Sequence, residues 1–341
     1  MDRNLYKKLF YPLILVFFTF FCVLLILPEN SVWGSEGDWF SQHLAVAEQF
    51  RAIFYETGRI LPDYSLAGAG SNIYDFSYYG LLRPDVLISF LLPGVPMAWV
   101  LSAYAILEIV AGSILCYCWL KRHLELPFFA FLGGILYSCA GCFYQSHHQL
   151  MFVNYLPFLL LALLGIDRML VKGRHGLLFF SLVMAYLHSY YFAPSVLAVV
   201  FLYFLYRLYS GDAASERVQG QKYSEDAASG QMQSQNYSGN TDSRLMQGQK
   251  YSGDAGSRQM RRHRICHAWL RLIFSIGISV GIAAVLLLPA GLDLLSTKKD
   301  AGIPPELSEI FSIQLSMESL LYHPGGCGLT LLCLYTLLLS L

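Results

Sequence analysis

Charge is what this sequence has least of. Asp, Glu, Lys and Arg make up 13% of its 341 residues against 55% hydrophobic side chains, and the mean hydropathy of +0.47 is well above that of an ordinary water-soluble domain. So few polar groups cannot cover a folded surface, so water is not the main solvent of this chain. Nor is there an excess of either sign: Lys plus Arg and Asp plus Glu each number 23, which gives no reason to expect a nucleic-acid partner. No A-x-A-like cleavage site follows the first apolar run, so that run reads as a retained span and not as a signal peptide. Cysteine is present without a framework pattern. Cys22, Cys116, Cys118, Cys139, Cys142, Cys266, Cys327 and Cys333 lie within or beside apolar runs, where packing is their expected use. The CxxC of Cys139 and Cys142 stands in a Gly/Ala/Ser-rich helix end, where small residues let helices approach, and implies no metal.

What the chain has instead is a series of apolar runs: Tyr11–Leu27, Pro96–Leu120, Pro127–Phe143, Met151–Leu170, Leu177–Phe192, Pro194–Leu208, Trp269–Leu292 and Leu329–Leu341. Each is about as long as a hydrocarbon layer of ~30 Å requires, or slightly short of it. The expected fold class is therefore all-α, a polytopic helical membrane protein with eight spans. Placing the N-terminus inside, beside Arg3, Lys7 and Lys8, makes 1–10, 121–126, 168–176 and 207–271 the inside segments. They hold three, two, three and ten Lys/Arg, 18 of the 23, as expected where basic loops stay in the cytoplasm. Arg51, Arg59, Arg83, Lys298 and Lys299 remain outside.

Tyr209, Tyr223, Tyr237 and Tyr251 open four related units with a period of 14 residues. Rich in Gly, Ser, Gln and Asp, these units bury too little apolar surface to offset chain entropy. The organisation expected is a membrane core over 1–208 with an outer loop at 28–85, a disordered cytoplasmic insertion over 209–267, and a continuation of the core over 268–341. Arg261, Arg262, His263 and Arg264 end the insertion where juxtamembrane bases meet anionic lipid. Because the chain stops at Leu341 within an apolar run, an N-terminal piece of a longer polypeptide is expected.

The outer loop carries the chemistry. Its eight carboxylates, Glu29, Glu36, Asp38, Glu48, Glu56, Asp63, Asp75 and Asp85, face three arginines, giving an acidic and aromatic surface. Trp39, Val46, Phe50, Ile53, Phe54 and Thr57 recur at three- and four-residue steps, predicting an amphipathic interfacial helix over 39–57 with Gly58 as its stop. Asp38 at its start reads either as an N-cap or as a general base at the water–lipid boundary, and the two are compatible. GAGSN at 68–72 is a glycine-rich turn without the lysine of a phosphate-binding loop. Tyr78 and Tyr79 are interface anchors or sugar-stacking rings. Arg83, an outer arginine beside the bilayer, is a candidate partner for a lipid-linked phosphate.

His147 and His148, near Gln145 and Asn154, are adjacent and cannot both ligate one metal from a regular helix, though they can line a polar pocket. No cofactor is implied; a divalent metal is left open, and would need acidic partners from the first outer loop. His188, Tyr190 and Tyr191 fall at the outer end of the fifth span. Glu108, at mid-span, either pairs within the bundle or belongs to a pathway.

GDWFSQH after the first span, the G-x-G-x-N turn, and SYYGLLRPD before the second resemble the bacterial YfhO family of membrane proteins. So do YSCAGCFYQSHHQLMFVNYLPFLLLALLGIDRML at 137–170 and YLHSYYFAPSVLAVVFLYFLY at 186–206; the similarity covers most of 1–206 and resumes at 268–300. The resemblance implies a GT-C-like bundle and a glycosyltransferase that moves a sugar from a polyprenyl phosphate on the outer face of the plasma membrane. The acceptor would be a cell-envelope polymer such as teichoic acid, and membrane lipid the surrounding partner. An acidic residue of the first outer loop is then the expected catalytic base: Asp38 by position, with Glu36 second. Gln42, His43, Tyr78, Tyr79, Arg83, His147, His148, His188 and Tyr191 are the expected substrate-binding residues. Arg83 and Asp85 depart from the small or apolar neighbours the family tends to place beside the proline. Two other classes compete, a transporter or lipid flippase without covalent chemistry and a scaffold docking envelope proteins through the acidic loop.

Overall fold

The computed structural model describes residues 3–27, 29, 31–35, 37–61, 73–145, 150–210 and 243–297. Among them every regular element is helical, as a chain needs when a bilayer offers its backbone no hydrogen-bond partners. The elements form two compact units: Met1–Leu160 with Met184–Ala193 and Ala283–Leu341, and Leu161–Val183 with Pro194–Ile282.

In the first unit, α1 (Arg3–Ile26) packs against two later helices, introduced in chain order below. A π-helical turn (Trp39–Leu44) runs straight into α2 (Ala45–Thr57), and α3 (Pro84–Ser89) follows. The core partners are α4 (Met97–Leu120) and α5 (Pro127–Ser138), the latter opening on a proline whose missing N–H costs a helix start nothing. Small residues set the crossings. Leu15 lies where any Cβ on Gly134 would come within 2.8 Å of it, and the Thr19 and Ser138 hydroxyls meet at 2.8 Å. Close approach and a shared hydroxyl bond replace the hydrophobic effect, which is absent between helices in lipid.

The ring contacts fix direction. Tyr11 lies 6.0 Å from Tyr117 and 5.0 Å from Phe131, so α4 runs antiparallel to α1 and α5 parallel to it. At the other end Ser102 donates to the Trp33 carbonyl, and the Trp33 ring meets Tyr144 edge-on at 5.8 Å. The connections around 31–61, 73–96 and 139–155 therefore gather at one end of this unit in a single apolar cluster, while Lys121, Arg122 and His123 lie beyond the end of α4. After α5 come a short α6 (Gly141–Gln145) and a 3-10 turn at Leu150–Phe152.

The second unit takes in most of α7 (Leu156–Lys172), the start of α8 (Gly176–His188), nearly all of the helix over 193–210 (α9) and α10 (Ser243–Thr297) as far as Ile282. Gly173, at φ +68, closes the turn between α7 and α8 in a conformation that suits glycine. Gly165 lets the backbone of Leu178 approach so closely that a Cβ would stand 2.7 Å from its nitrogen. Phe204 and Trp269 pack edge to face at 4.9 Å between α9 and α10.

Among the described residues five helices are long and apolar enough to cross a membrane: Leu9–Ile26, Met97–Leu120, Pro127–Tyr144, Tyr190–Ser210 and Ile265–Leu292. The runs expected at Met151–Leu170 and Leu177–Phe192 form helices of 17 and 13 residues, shorter than a full perpendicular crossing. The run at Leu329–Leu341 lies outside the described residues. A further difference concerns the repeats. Where the composition predicts an unstructured insertion, α10 begins at Ser243 and carries the helix through the fourth repeat into the apolar span. A helix already nucleated by the span extends backward at the cost of one residue per added hydrogen bond, which lowers the propensity needed from the repeats.

Candidate functional site

The expected amphipathic helix is present and ends where glycine was expected to end it: Gly58 is left-handed at φ +70 and its N–H reaches the Phe54 carbonyl at 2.8 Å. Its buried face is Trp39, His43, Leu44, Val46, Ala47, Phe50 and Ile53. The π turn makes this face continuous by adding a residue to the first turn, which brings His43 inward with Trp39. The helix is fastened to the segment following α3: Phe54 stacks on Phe90 at 4.3 Å, Tyr55 donates to the Phe90 carbonyl at 2.9 Å and Arg51 to that of Val95 at 2.7 Å.

Asp38 sits at the mouth of the π turn, exposed, and makes no side-chain capping bond. Its carboxylate instead accepts from Gln42 Nε2 at 2.9 Å, and Gln42 Oε1 accepts from the Tyr79 hydroxyl. An amide has one acceptor end and one donor end, so Tyr79 on the oxygen turns the nitrogen toward Asp38. Tyr79 is buried and packs edge to face on His43 at 5.1 Å. Asp38, Gln42, His43 and Tyr79 are thus brought together.

Tyr79 ends a 3-10 turn (Ile73–Tyr79), and Gly80 follows at φ +99. A Cβ on Gly80 would stand 2.9 Å from the Cβ of Arg83, so both its backbone angle and its neighbour call for glycine. The chain then folds back through Arg83 N–H to the Gly80 carbonyl at 2.9 Å, and Arg83 is extended, as a residue before proline tends to be. Its side chain does not face an outer surface. Arg83 is 1% exposed and forks onto Asp85, Nε to Oδ1 at 2.7 Å and Nη2 to Oδ2 at 2.6 Å. Burial opposes the guanidinium charge most strongly, but the Asp85 carboxylate, helped by Glu108 and Tyr104, more than offsets it and holds Arg83 above its ordinary pKa.

A second cluster lies within the bundle of this unit. Glu108 Oε1 is 3.1 Å from His188 Nε2, and the Tyr104 hydroxyl is 2.7 Å from the same nitrogen. His188 Nδ1 is 2.6 Å from the Met184 carbonyl, which can only accept, so Nδ1 carries a proton. Glu108 therefore pairs within the bundle, one of the two roles its sequence position allowed. Beside it a narrow cleft is lined by Trp33, Ala105, Glu108, Ile109, Phe143, Leu150, Val153, Asn154 and Pro157. His188 belongs to this inner cluster. Tyr191 is 70% exposed and joins neither group; Tyr78 lies in the 3-10 turn. Glu36, His147 and His148 fall outside the described residues, as does GAGSN. Tyr104 and Trp33 went unremarked in the sequence, although Tyr104 stands one turn before Glu108 on the same helix face. Among the described residues no group of three His, Cys, Asp or Glu side chains is placed to hold a metal ion.

Neither a curated protein nor a solved structure matches the chain. Its residues 9–313 do match the family described as bacterial membrane protein YfhO. That match runs from the first membrane helix through α10, covers both polar clusters, and makes this chain a member of the YfhO family of bacterial membrane proteins.

Proposed function

We propose that this protein is a membrane glycosyltransferase of GT-C type, with its N-terminus in the cytoplasm and the Asp38 end of its first unit on the outer face of the bacterial plasma membrane. The donor is a sugar on a polyprenyl phosphate and the acceptor a hydroxyl of an envelope polymer such as teichoic acid. The observation that carries this reading is an exposed carboxylate with a fixed orientation: Asp38 held by Gln42, itself held by Tyr79. In the reaction Asp38 takes the proton of the acceptor hydroxyl while that oxygen bonds to the anomeric carbon. The bond from that carbon to the phosphate oxygen breaks, the phosphate leaves with the electron pair, and configuration inverts. Arg83, engaged by Asp85, supports the Tyr79 turn in this scheme instead of meeting the leaving phosphate.

A transport function is the second reading, favoured by one observation: Glu108 and His188 form a buried ionisable pair at mid-span depth, a common mark of substrate or proton pathways. Transfer of labelled sugar from polyprenyl phosphate by membranes containing the protein separates the two. Asp38→Asn should abolish transfer at unchanged abundance; full transfer by that variant would remove Asp38 from the chemistry.

A further inference from the structure

We propose that Cys22 and Cys139 are a redox pair whose oxidation by an organic disulfide fastens α1 covalently to the end of α5, a modification site independent of the transferase reading.

Two parallel helices running in step bring these thiols together. Leu15 of α1 lies on Gly134 of α5, and one turn further along both helices the Thr19 and Ser138 hydroxyls meet at 2.8 Å, both residues fully buried. Three residues on along α1 and one on along α5 stand Cys22 and Cys139, whose thiols are hydrogen-bonded to each other. The Tyr144 hydroxyl holds the same corner: it donates to the Ser138 carbonyl at 2.6 Å and meets the Cys22 thiol. A disulfide requires backbones close together and side chains directed at one another. The touching hydroxyls one step below provide the first, and the thiol contact provides the second.

Both sulfurs are free, Cys22 half-buried and Cys139 exposed just past the last residue of α5. That difference sets the order of reaction. The Cys139 thiolate attacks one sulfur of the organic disulfide, whose other half leaves with the electron pair and takes up a proton. The Cys22 thiolate then displaces the second half from the mixed disulfide. Two protein thiols are oxidised to one disulfide, and the organic disulfide is reduced to two thiols that carry the protons away. Cys142, which completes the CxxC with Cys139, packs instead against the apolar cluster near Tyr137, so spacing along the chain is not what selects the pair. Tyr144 also meets the Trp33 ring edge-on at 5.8 Å, which puts the strap where α1, the end of α5 and the Trp33 segment converge. Once closed, it removes the freedom of α1 to part from α5.

The full chain, purified in detergent, reduced and freed of reductant, is exposed to dipyridyl disulfide and its peptides are mapped by mass spectrometry without reduction. The expected result is a linked peptide joining Cys22 to Cys139, lost again on treatment with dithiothreitol, and a higher unfolding midpoint for the oxidised chain. The link should form roughly tenfold faster or more in the folded chain than after unfolding in dodecyl sulfate, because the fold holds the thiols together. Cys22→Ala and Cys139→Ala should each abolish the rise in midpoint, whereas Cys142→Ala should keep both the linked peptide and the rise. If Cys22→Ala does not fold, the exposed Cys139→Ala decides by itself. Stable mixed disulfides on Cys22 or Cys139 without a link, a Cys139–Cys142 link in its place, or equal rates in the folded and unfolded chain would overturn the proposal.

Discussion

Two arginine–aspartate pairs among the described residues differ in depth. Arg83 and Asp85 lie two residues apart in the first unit, both almost wholly buried, with two parallel hydrogen bonds closing the fork. Arg207 and Asp167 join α9 to α7 in the second unit through one contact of 2.8 Å, with the arginine side chain 28% exposed and Tyr203 donating to the same carboxylate oxygen at 2.9 Å. The buried fork has surrendered nearly all its hydration and depends on its own geometry, so it tolerates the loss of neither partner. The second pair keeps water within reach of its cation and a neutral donor on its anion. Chemically alike, they teach that depth decides whether an ion pair is a keystone or an adornment.

Asp85→Ala should break the comparison most severely. It strands the Arg83 charge and should cost about 3–5 kcal/mol, read from unfolding in detergent. The double replacement Arg83→Met with Asp85→Leu should recover most of that loss; a double variant as unstable as Asp85→Ala would mean that the pair contributes more than mutual neutralisation. Gly80→Ala tests the same fork through its backbone, combining an unfavourable φ with a clash against Arg83, and should cost about 1–3 kcal/mol. For the second pair, Asp167→Asn keeps an acceptor for Tyr203 and leaves Arg207 partly hydrated, so about 1–2 kcal/mol is expected. A loss equal to that of Asp85→Ala would erase the distinction drawn from exposure. Asp38→Asn should leave the unfolding midpoint nearly unchanged while the proposed sugar transfer disappears, because this carboxylate is exposed and lies outside the buried face of its helix.

Local patterns in the sequence carried much of this architecture. The three- and four-residue spacing of Trp39, Val46, Phe50 and Ile53 announces the buried face of α2, and Gly58 its end, because both follow from helix periodicity. The π turn was not legible: it comes from packing His43 against Tyr79, residues 36 positions apart. Arg83 misled for a related reason. An arginine beside the bilayer reads as solvent-facing when only its position along the chain is known, and Asp85 gave no sign that it would fold back over it. Glu108 was identifiable as costly at its depth, but its partner His188 stands 80 residues away, and nothing in local composition reports such a meeting. Asp38 was conspicuous from position, whereas the glutamine and tyrosine that aim it emerged only once the 3-10 turn was in place.

The backward reach of α10 gives the 14-residue repeat a geometric meaning. At ~1.5 Å and ~100° per residue, one repeat in a helix adds about 21 Å and falls roughly 40° short of four full turns. Gaining or losing one unit within the helical stretch would therefore lengthen or shorten a stalk by nearly constant steps while presenting almost the same side of it. In a helix of this kind, length would follow copy number and facing would follow arithmetic.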